Sequence, residues 1–320
     1  MFVKRFEEIG KDMFQECGGK AAHLGELTKL KLSIPDGFVV LGEAFSYHMK
    51  SNSLEEEIKR IASTINYEDF KDLEEKTKQI RDLIVYASMP LEIEKEIVQN
   101  YSNLSPHQTD PFVAVRSSVA VKDSPVSSFP GMMDTFHYIR GAETVVEKVK
   151  ECWASVWSGR AAFARHTKGI EHFKAIIAPT VQLMVNSQVA GVLFTVNPIS
   201  GEKNEIVIES NWGLGETVVC GKCQSDLYII DKTPFRVNQK KIARKEQTYI
   251  QVKGGGAEWT PVETGKVNEP TLTVEQIEEL CKIACTIEDH YGCHQDIEWA
   301  YEKGNLYILQ ARRAKVGGEQ

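Results

Sequence analysis

The segment DIEWAYEKGNLYILQARR, residues 296–313, does most to restrict what this chain can fold into. Apolar and polar residues alternate on both sides of Lys303 and Gly304, the pattern of two strands joined by a tight turn. Strand side chains point to alternate faces, so Asp296 and Glu298 share one face of the first strand. Gln310 and Arg312 do the same on the second. Ile297, Trp299, Leu309 and Ala311 fall on the opposite, apolar face. If the strands pair, carboxylates, an amide oxygen and a guanidinium meet on one surface. Such oxygens are hard ligands suited to Mg2+, which in turn bridges phosphates. A plain half-exposed sheet with a cross-strand ion pair accounts for the same pattern.

The rest of the chain divides by periodicity. APTVQLMV, VAGVLFTV, NEIVIESNW and SDLYIIDK read as strands, and LTVEQIEELCKIACTIEDHYG as a strong helix. The polar stretch between residues 233 and 263 reads as a hairpin or a surface excursion. The earlier half is mainly helical: CGGKAAHLGELTKL after a Gly pair, two or more helices between Ser53 and Tyr101, and one long amphipathic helix over 142–169. Trp153 and Trp157 lie one turn apart on that helix and read as core. FVAVRSSVAV is a strand and VKDSPVSSFPGMMDTF a loop. Strands and helices mixed in this way, without an internal repeat, indicate an α+β protein in two halves, 1–178 and 179–320.

Charge narrows the partners. Lys plus Arg is 38 and Asp plus Glu is 45, a formal net charge of -7 over 320 residues. No global field attracts nucleic acid or an anionic membrane, so an anionic substrate needs local cations. The charged opening MFVKRFEEIGKDMF lacks the apolar segment of a signal peptide, and no apolar run approaches the roughly 20 residues that span a bilayer. Seven cysteines in a chain of this size read as reduced thiols in the cytoplasm.

Several residues have two readings. Lys20 follows a Gly pair and opens a helix, a place where backbone approaches phosphate closely; it is equally a surface lysine beside a turn. The spacing is not that of a Walker loop. Arg116 sits in the apolar run VAVRSS, where it forms an internal salt bridge or clamps a phosphate. Gly131 and Thr135, in SFPGMMDTF, suit a lid of backbone N–H groups and a hydroxyl over phosphates, or an ordinary exposed loop. Cys220 and Cys223 form a C-x-x-C without a second pair at zinc spacing and read as incidental. Cys281 and Cys285, near His290, Cys293 and His294, read as buried structural thiols rather than a metal site. Lys240, Lys241, Arg244 and Lys245 read as a solvated surface.

Taken together, GGKAAHLGEL, IPDGFVV, VAVRSS with Asp123 following, SFPGMMDTF, KECWASVWSGRAAFAR, QLMVNSQVAGVLFTVNPISG, ESNWGLGETVVCG and QDIEWAYEKGNLYILQARR resemble one family in order and over nearly the whole chain. That family is phosphoenolpyruvate synthase, pyruvate phosphate dikinase and rifampicin phosphotransferase. PGMMDT is closer to the dikinase branch, and the surrounding sequence to the other two. The resemblance implies an ATP-grasp fold whose two α+β subdomains sandwich ATP and Mg2+. It places Lys20 and Arg116 on phosphates, with Gly131 and Thr135 closing over them. It gives adenine contacts to the backbone of Gln182, Leu183, Met184 and Val185. It puts Mg2+ on Glu298 and Gln310, with Asp296 beside them and Arg312 on phosphate. It also implies that ATP's β-phosphate passes to a histidine of a separate domain or subunit, leaving AMP, for onward transfer to pyruvate or another small acceptor held by that partner. The chain lacks the histidine segment and the acceptor barrel of the family, so it is expected to act as a split subunit or as part of a longer enzyme. The alternatives are a self-contained ATP-grasp kinase or ligase giving ADP, and a non-catalytic nucleotide-sensing subunit.

Overall fold

The computed structural model describes residues 1–105, 109–121, 134–252 and 254–316. It is an α+β chain and separates into two compact units. The first comprises 1–29 and 36–184, the second 30–35 and 185–320. The division falls after Met184 rather than near residue 178. The strand Thr180–Leu183 sits in the interior of the first unit's sheet, so a boundary before it would cut a ladder.

In the first unit the strands are β1 (Val3–Arg5), β2 (Gly37–Val40), β3 (Val113–Arg116), β4 (Val119–Val121), β5 (Thr135–Ile139), β6 (Ala175–Ile177) and β7 (Thr180–Leu183). Five form a sheet ordered β1-β2-β7-β3-β5, and β4 pairs separately with β6. The run expected as a single strand at 112–121 is thus broken. β3 and β4 flank Ser117 and Ser118, and each joins a different sheet.

The helices are α1 (Phe14–Lys29), α2 (Gly42–Ser51), α3 (Glu55–Ala62), α4 (Phe70–Tyr86), α5 (Leu91–Ser102), α6 (Ala142–Ser155) and α7 (Gly159–Thr167). The long helix expected over 142–169 is two. After α6 the chain turns at Val156 and Trp157, and the Ser158 hydroxyl accepts from the Ala161 N–H at 3.3 Å to start α7. Ile58, Ile80, Ile84, Ile93, Ile97, Val149 and Trp153 from these helices meet Phe38, Val40, Val113, Val115 and Val181 from the sheet in one core. Trp153 and Trp157 are both buried, as their spacing indicated.

Beneath α7 lies a polar cluster. Arg165 is fully buried, and its Nε donates to His172 Nδ1 at 3.2 Å. Because Nδ1 accepts, the ring proton sits on Nε2 and is donated to the Tyr67 hydroxyl 2.7 Å away. Burial, reinforced by the charges of Arg165 and His166, pushes His172 down to about 4. Its ordinary value is near 6.5. The folded state therefore binds fewer protons than the unfolded state between those values. The contribution is fully present above about pH 6.5 and lost as pH falls through about 4. Urea midpoints recorded across that window should fall on acidification, and the fall should be shallower in His172→Gln. An identical acid slope in the variant would remove His172 as its source.

In the second unit the strands are β8 (Val189–Phe194), β9 (Glu205–Trp212), β10 (Asp226–Asp231), β11 (Arg236–Lys241), β12 (Gln247–Gln251), β13 (Ala257–Pro261), β14 (Gln295–Glu302) and β15 (Asn305–Arg313), with helices α8 (Glu216–Val219) and α9 (Val274–Tyr291). Six strands form an antiparallel sheet ordered β11-β10-β9-β8-β14-β15, and β12 and β13 form a separate hairpin. The polar stretch between 233 and 263 thus supplies one edge strand and that hairpin. Residues 30–35 run beside the other edge, where the Ile308 N–H donates to the Ser33 carbonyl at 3.0 Å. Helix α9 starts in a capping box of Thr273 and Gln276 and ends at Gly292 in the left-handed region. The odd-numbered face of β14, with Ile297, Trp299 and Tyr301, is buried, and the Tyr301 hydroxyl donates to Glu279 of α9 at 2.7 Å.

One expectation about this unit is corrected. Lys240, Lys241 and Arg244 are exposed, but Lys245 is fully buried. Its ammonium donates to Asp226 Oδ1 at 2.7 Å and to the Ala243 carbonyl at 2.9 Å. Asp226, also fully buried, accepts further from the Ala243 N–H and from the N–H and hydroxyl of Thr271. A buried charge persists only when paired and hydrogen-bonded, and this pair meets both conditions.

Candidate functional site

Each unit gathers part of the residue set picked out in the sequence. In the first, α1 is broken at Gly18, whose φ of 71° and ψ of 165° lie outside the helical region and in one that side-chain-bearing residues rarely adopt. The helix restarts there, which sets Lys20 in its first turn, where backbone N–H groups lack intrahelical partners. The Ser118 hydroxyl faces one of these, the N–H of Ala21, at 3.4 Å. Lys20 also lies near enough to Cys152 to lower its thiol, although burial dominates and drives that thiol strongly upward.

Arg116 ends β3 two residues before Ser118. The ladders set it opposite Thr135 of β5 on one side and Thr180 of β7 on the other. Thr135 is exposed, and Arg116 is half-buried. The hydroxyl of Ser118 thus links the Lys20 helix start to the segment that follows Arg116, and register places Thr135 beside Arg116. Gly131 and Asp123 lie outside the described residues.

Gln182, Leu183 and Met184 close the first unit along β7. The Leu183 N–H donates to the Asp36 carbonyl at 2.8 Å and that of Met184 to the Phe112 carbonyl at 2.9 Å. Those two donors are taken up in the fold, so an adenine contact from this segment requires other backbone atoms. Val185 begins the second unit and packs with Ala190 and Ala300.

In the second unit the terminal hairpin turns at Lys303 and Gly304, both at positive φ (51° and 80°). This is the backbone of a type I′ turn, whose second position glycine occupies without strain. From Glu302↔Asn305 the ladder runs back regularly to Trp299↔Ile308. Unbroken, it would next set Glu298 against Leu309 and Ile297 against Gln310, turning Gln310 to the apolar face. A bulge between Glu298 and Trp299 prevents this, and Glu298 faces Gln310 while Asp296 faces Arg312. Leu309 is correspondingly displaced from the expected apolar face. It packs beside Ala300 on the other side, and Ile308 takes its place opposite Trp299.

The result is an ordered polar block. Gln310 Nε2 donates to Glu298 Oε1 at 3.2 Å, and Arg312 Nε donates to Asp296 Oδ2 at 2.7 Å. Burial, with help from the neighbouring Glu298 carboxylate, raises Asp296 above the usual carboxylate range in spite of Arg312. Asp296 and Gln310 are buried and Glu298 half-buried. Along the same face the register continues from Glu298 to Val192 of β8, Glu209 of β9 and Leu227 of β10. Val192, Glu209, Leu227 and, one row away, Phe194 are all half-buried. The polar block therefore borders a partly open apolar floor. The donor set fits a hard cation: carboxylate oxygens of Asp296 and Glu298 on one strand, and an amide on the next that meets them by its oxygen when turned.

Glu209 was missed in the sequence. Strand alternation alone left its face undefined, and only the four-strand register brings it into line with Glu298. Cys281, by contrast, is fully buried, and burial pushes its thiol up to about 12, as expected of a structural cysteine. Among the described residues no group of three or more His, Cys, Asp or Glu side chains is arranged to hold a metal, and no helix is long and apolar enough to cross a membrane.

Known proteins share this sequence at length. The phosphoenolpyruvate synthase of Pyrococcus furiosus is 40% identical over 97% of this chain and 43% of its own length. A probable phosphoenolpyruvate synthase of Methanocaldococcus jannaschii is 40% identical over 97% of the chain and 26% of its own length. One from Methanothermobacter thermautotrophicus is 37% identical over 99% of the chain and 46% of its own length. The chain thus spans less than half the length of these relatives. Residues 14–320, nearly the entire chain and all of the segments assembled above, match the family described as pyruvate phosphate dikinase, AMP/ATP-binding domain, and the chain belongs to that family.

Proposed function

We propose that this chain is the ATP-binding part of a phosphotransferase that moves the β-phosphate of ATP to a histidine on a partner domain or subunit, leaving AMP. The partner then passes the phosphate to pyruvate or another small acceptor. The observation that carries this reading is the bulged hairpin, which sets Glu298 against Gln310 and Asp296 against Arg312 on a half-exposed face. Glu298, Gln310 and Asp296 would hold Mg2+, which when bound would neutralise phosphate charge. Arg312, Lys20 and Arg116 would bind phosphate oxygens, Arg116 bidentately. Thr135 would add a hydroxyl donor beside Arg116, and Gly131 a backbone N–H. Adenine would rest against the backbone of Gln182 to Val185. The work asked of these residues is positioning and charge neutralisation rather than covalent chemistry. The seven free thiols suit a reducing cytoplasm.

Product analysis tests the reading. The chain is incubated with Mg2+ and ATP, with and without a histidine-domain protein of the same genomic neighbourhood. AMP together with an acid-labile phosphate on the partner is the expected result. ADP formed by the chain alone would replace the reading with a self-contained kinase or ligase.

Arg116→Ala separates phosphate binding from adenine binding. The variant should lose about 10-fold or more in ATP affinity, the order of 1.5–3 kcal/mol for a hydrogen bond to a charged group, yet bind adenosine as the parent does. Calorimetric titration with both ligands decides it. Equal losses for both, or an unfolded variant, would return Arg116 to a structural ion pair.

A further inference from the structure

The C-x-x-C of Cys220 and Cys223 is a sequence motif that the nucleotide reading leaves unused. Cys220 caps the C-terminus of α8, and Gly221 follows at φ 67°. The chain bends back there, so that the Lys222 N–H donates to Cys220 Sγ at 3.4 Å. The Cys223 thiol lies against the Gln247 carbonyl at 3.9 Å. The turn is held at both ends. The Cys220 N–H donates to the Glu216 carbonyl at 3.1 Å, and Asn211 Nδ2 donates to the Gln224 carbonyl at 3.0 Å.

Access distinguishes Cys220 from the other thiols. Cys220 is exposed, Cys223, Cys285 and Cys293 are half-buried, and Cys17, Cys152 and Cys281 are buried. Burial raises the Cys223 thiol, and the adjacent Cys220 raises it further, so each sulfur lies within the other's field. A closed zinc centre needs four ligands, and no set of even three suitable side chains is assembled among the described residues. Two neighbouring thiols, one open to solvent and one half-buried, match the attacking and resolving positions of a redox dithiol.

We propose that Cys220 and Cys223 form a redox-active dithiol that exchanges with low-molecular-weight disulfides and closes into an intramolecular disulfide. In the first step the Cys220 thiolate, its proton given to solvent, attacks one sulfur of the small disulfide. The S–S bond breaks, a mixed disulfide forms on Cys220, and one small thiolate leaves. In the second step Cys223, deprotonated by solvent, attacks Cys220 Sγ and expels the second small thiolate. Two protein thiols are oxidised, and one small disulfide is reduced to two thiols. The closed bond would tie the turn between α8 and β10 across the Gly221 bend.

The test uses the full chain and glutathione. Protein is equilibrated over a series of reduced-to-oxidised glutathione ratios, quenched with an alkylating reagent and read by peptide mass. The peptide bearing Cys220 and Cys223 should lose two hydrogens and escape alkylation at ratios that leave Cys17, Cys152 and Cys281 alkylated only after denaturation. Cys223→Ser should trap the glutathione adduct on Cys220, and Cys220→Ser should leave Cys223 mostly free. Full alkylation of both thiols at the most oxidising ratio, or a glutathione adduct that persists on Cys220 in the unaltered chain, would overturn the proposal. The unaltered chain decides this without a variant, so a folding defect in either serine variant cannot mask the answer.

Discussion

Glu298→Ala should abolish the dependence of ATP binding on Mg2+ and lower phosphotransfer by about 10²-fold or more, the scale set by removing one group that stabilises charge in a reacting centre. The physical reason is local. Glu298 is a half-buried carboxylate two residues from a second one, Asp296, whose charge burial already disfavours. Two such groups side by side repel one another and invite a cation between them. Removing Glu298 relieves that repulsion, so Asp296 should titrate closer to its ordinary range and the fold should keep its urea midpoint. The measurement is ATP affinity by calorimetry in Mg2+ and in chelator, repeated on the variant. The parent should bind more tightly with the metal, and the variant equally in both. A variant that keeps the metal dependence would move Mg2+ off this hairpin. An AMP-forming assay with a histidine partner then reports the same change as rate.

The largest stability effect should come from the second unit's buried ion pair. Lys245→Met removes the ammonium and leaves the Asp226 carboxylate buried without its cation. Breaking such a pair from one side costs about 3–5 kcal/mol, because the remaining charge stays desolvated. Asp226 still accepts three bonds, from the Ala243 N–H and from the N–H and hydroxyl of Thr271, which places the loss toward the lower end. Asp226→Ala should be worse, since it strands the Lys245 ammonium together with those three donors. Chemical denaturation of both single variants and of the double variant decides it. The double should recover part of the loss, as expected when neither charge is left alone. Single variants as stable as the parent would show that the pair contributes nothing to holding β10 to the Ala243–Lys245 and Thr271 segments.

How far the residues announced this arrangement depended on the range of the interaction. Period and turn chemistry are local, so the terminal hairpin, α9 and the buried tryptophans were legible. So was the helix start after the Gly pair, which the break at Gly18 bears out, whereas the division of 142–169 at Ser158 was not. Serine also occurs inside helical patterns, and only tertiary contacts decide whether the chain bends at Ser158. Lys245 looked like its neighbours Lys240 and Lys241 because its partner, Asp226, lies on another strand. The pairing of Glu298 with Gln310 was inferred from shared faces, yet the turn at Lys303 and Gly304 alone would have put them on opposite sides. The bulge that reconciles them leaves no mark in the alternation of residues.

That bulge makes the hairpin a counting device. Between Glu298 and Gln310 the demand falls on how many residues there are as well as on the buried side chains of Trp299, Tyr301 and Ile308. One residue gained or lost away from the bulge would carry Gln310 and Arg312 to the buried side of the sheet, whereas a pair added at the turn would not. Through sequence drift, this stretch should therefore change length in steps of two.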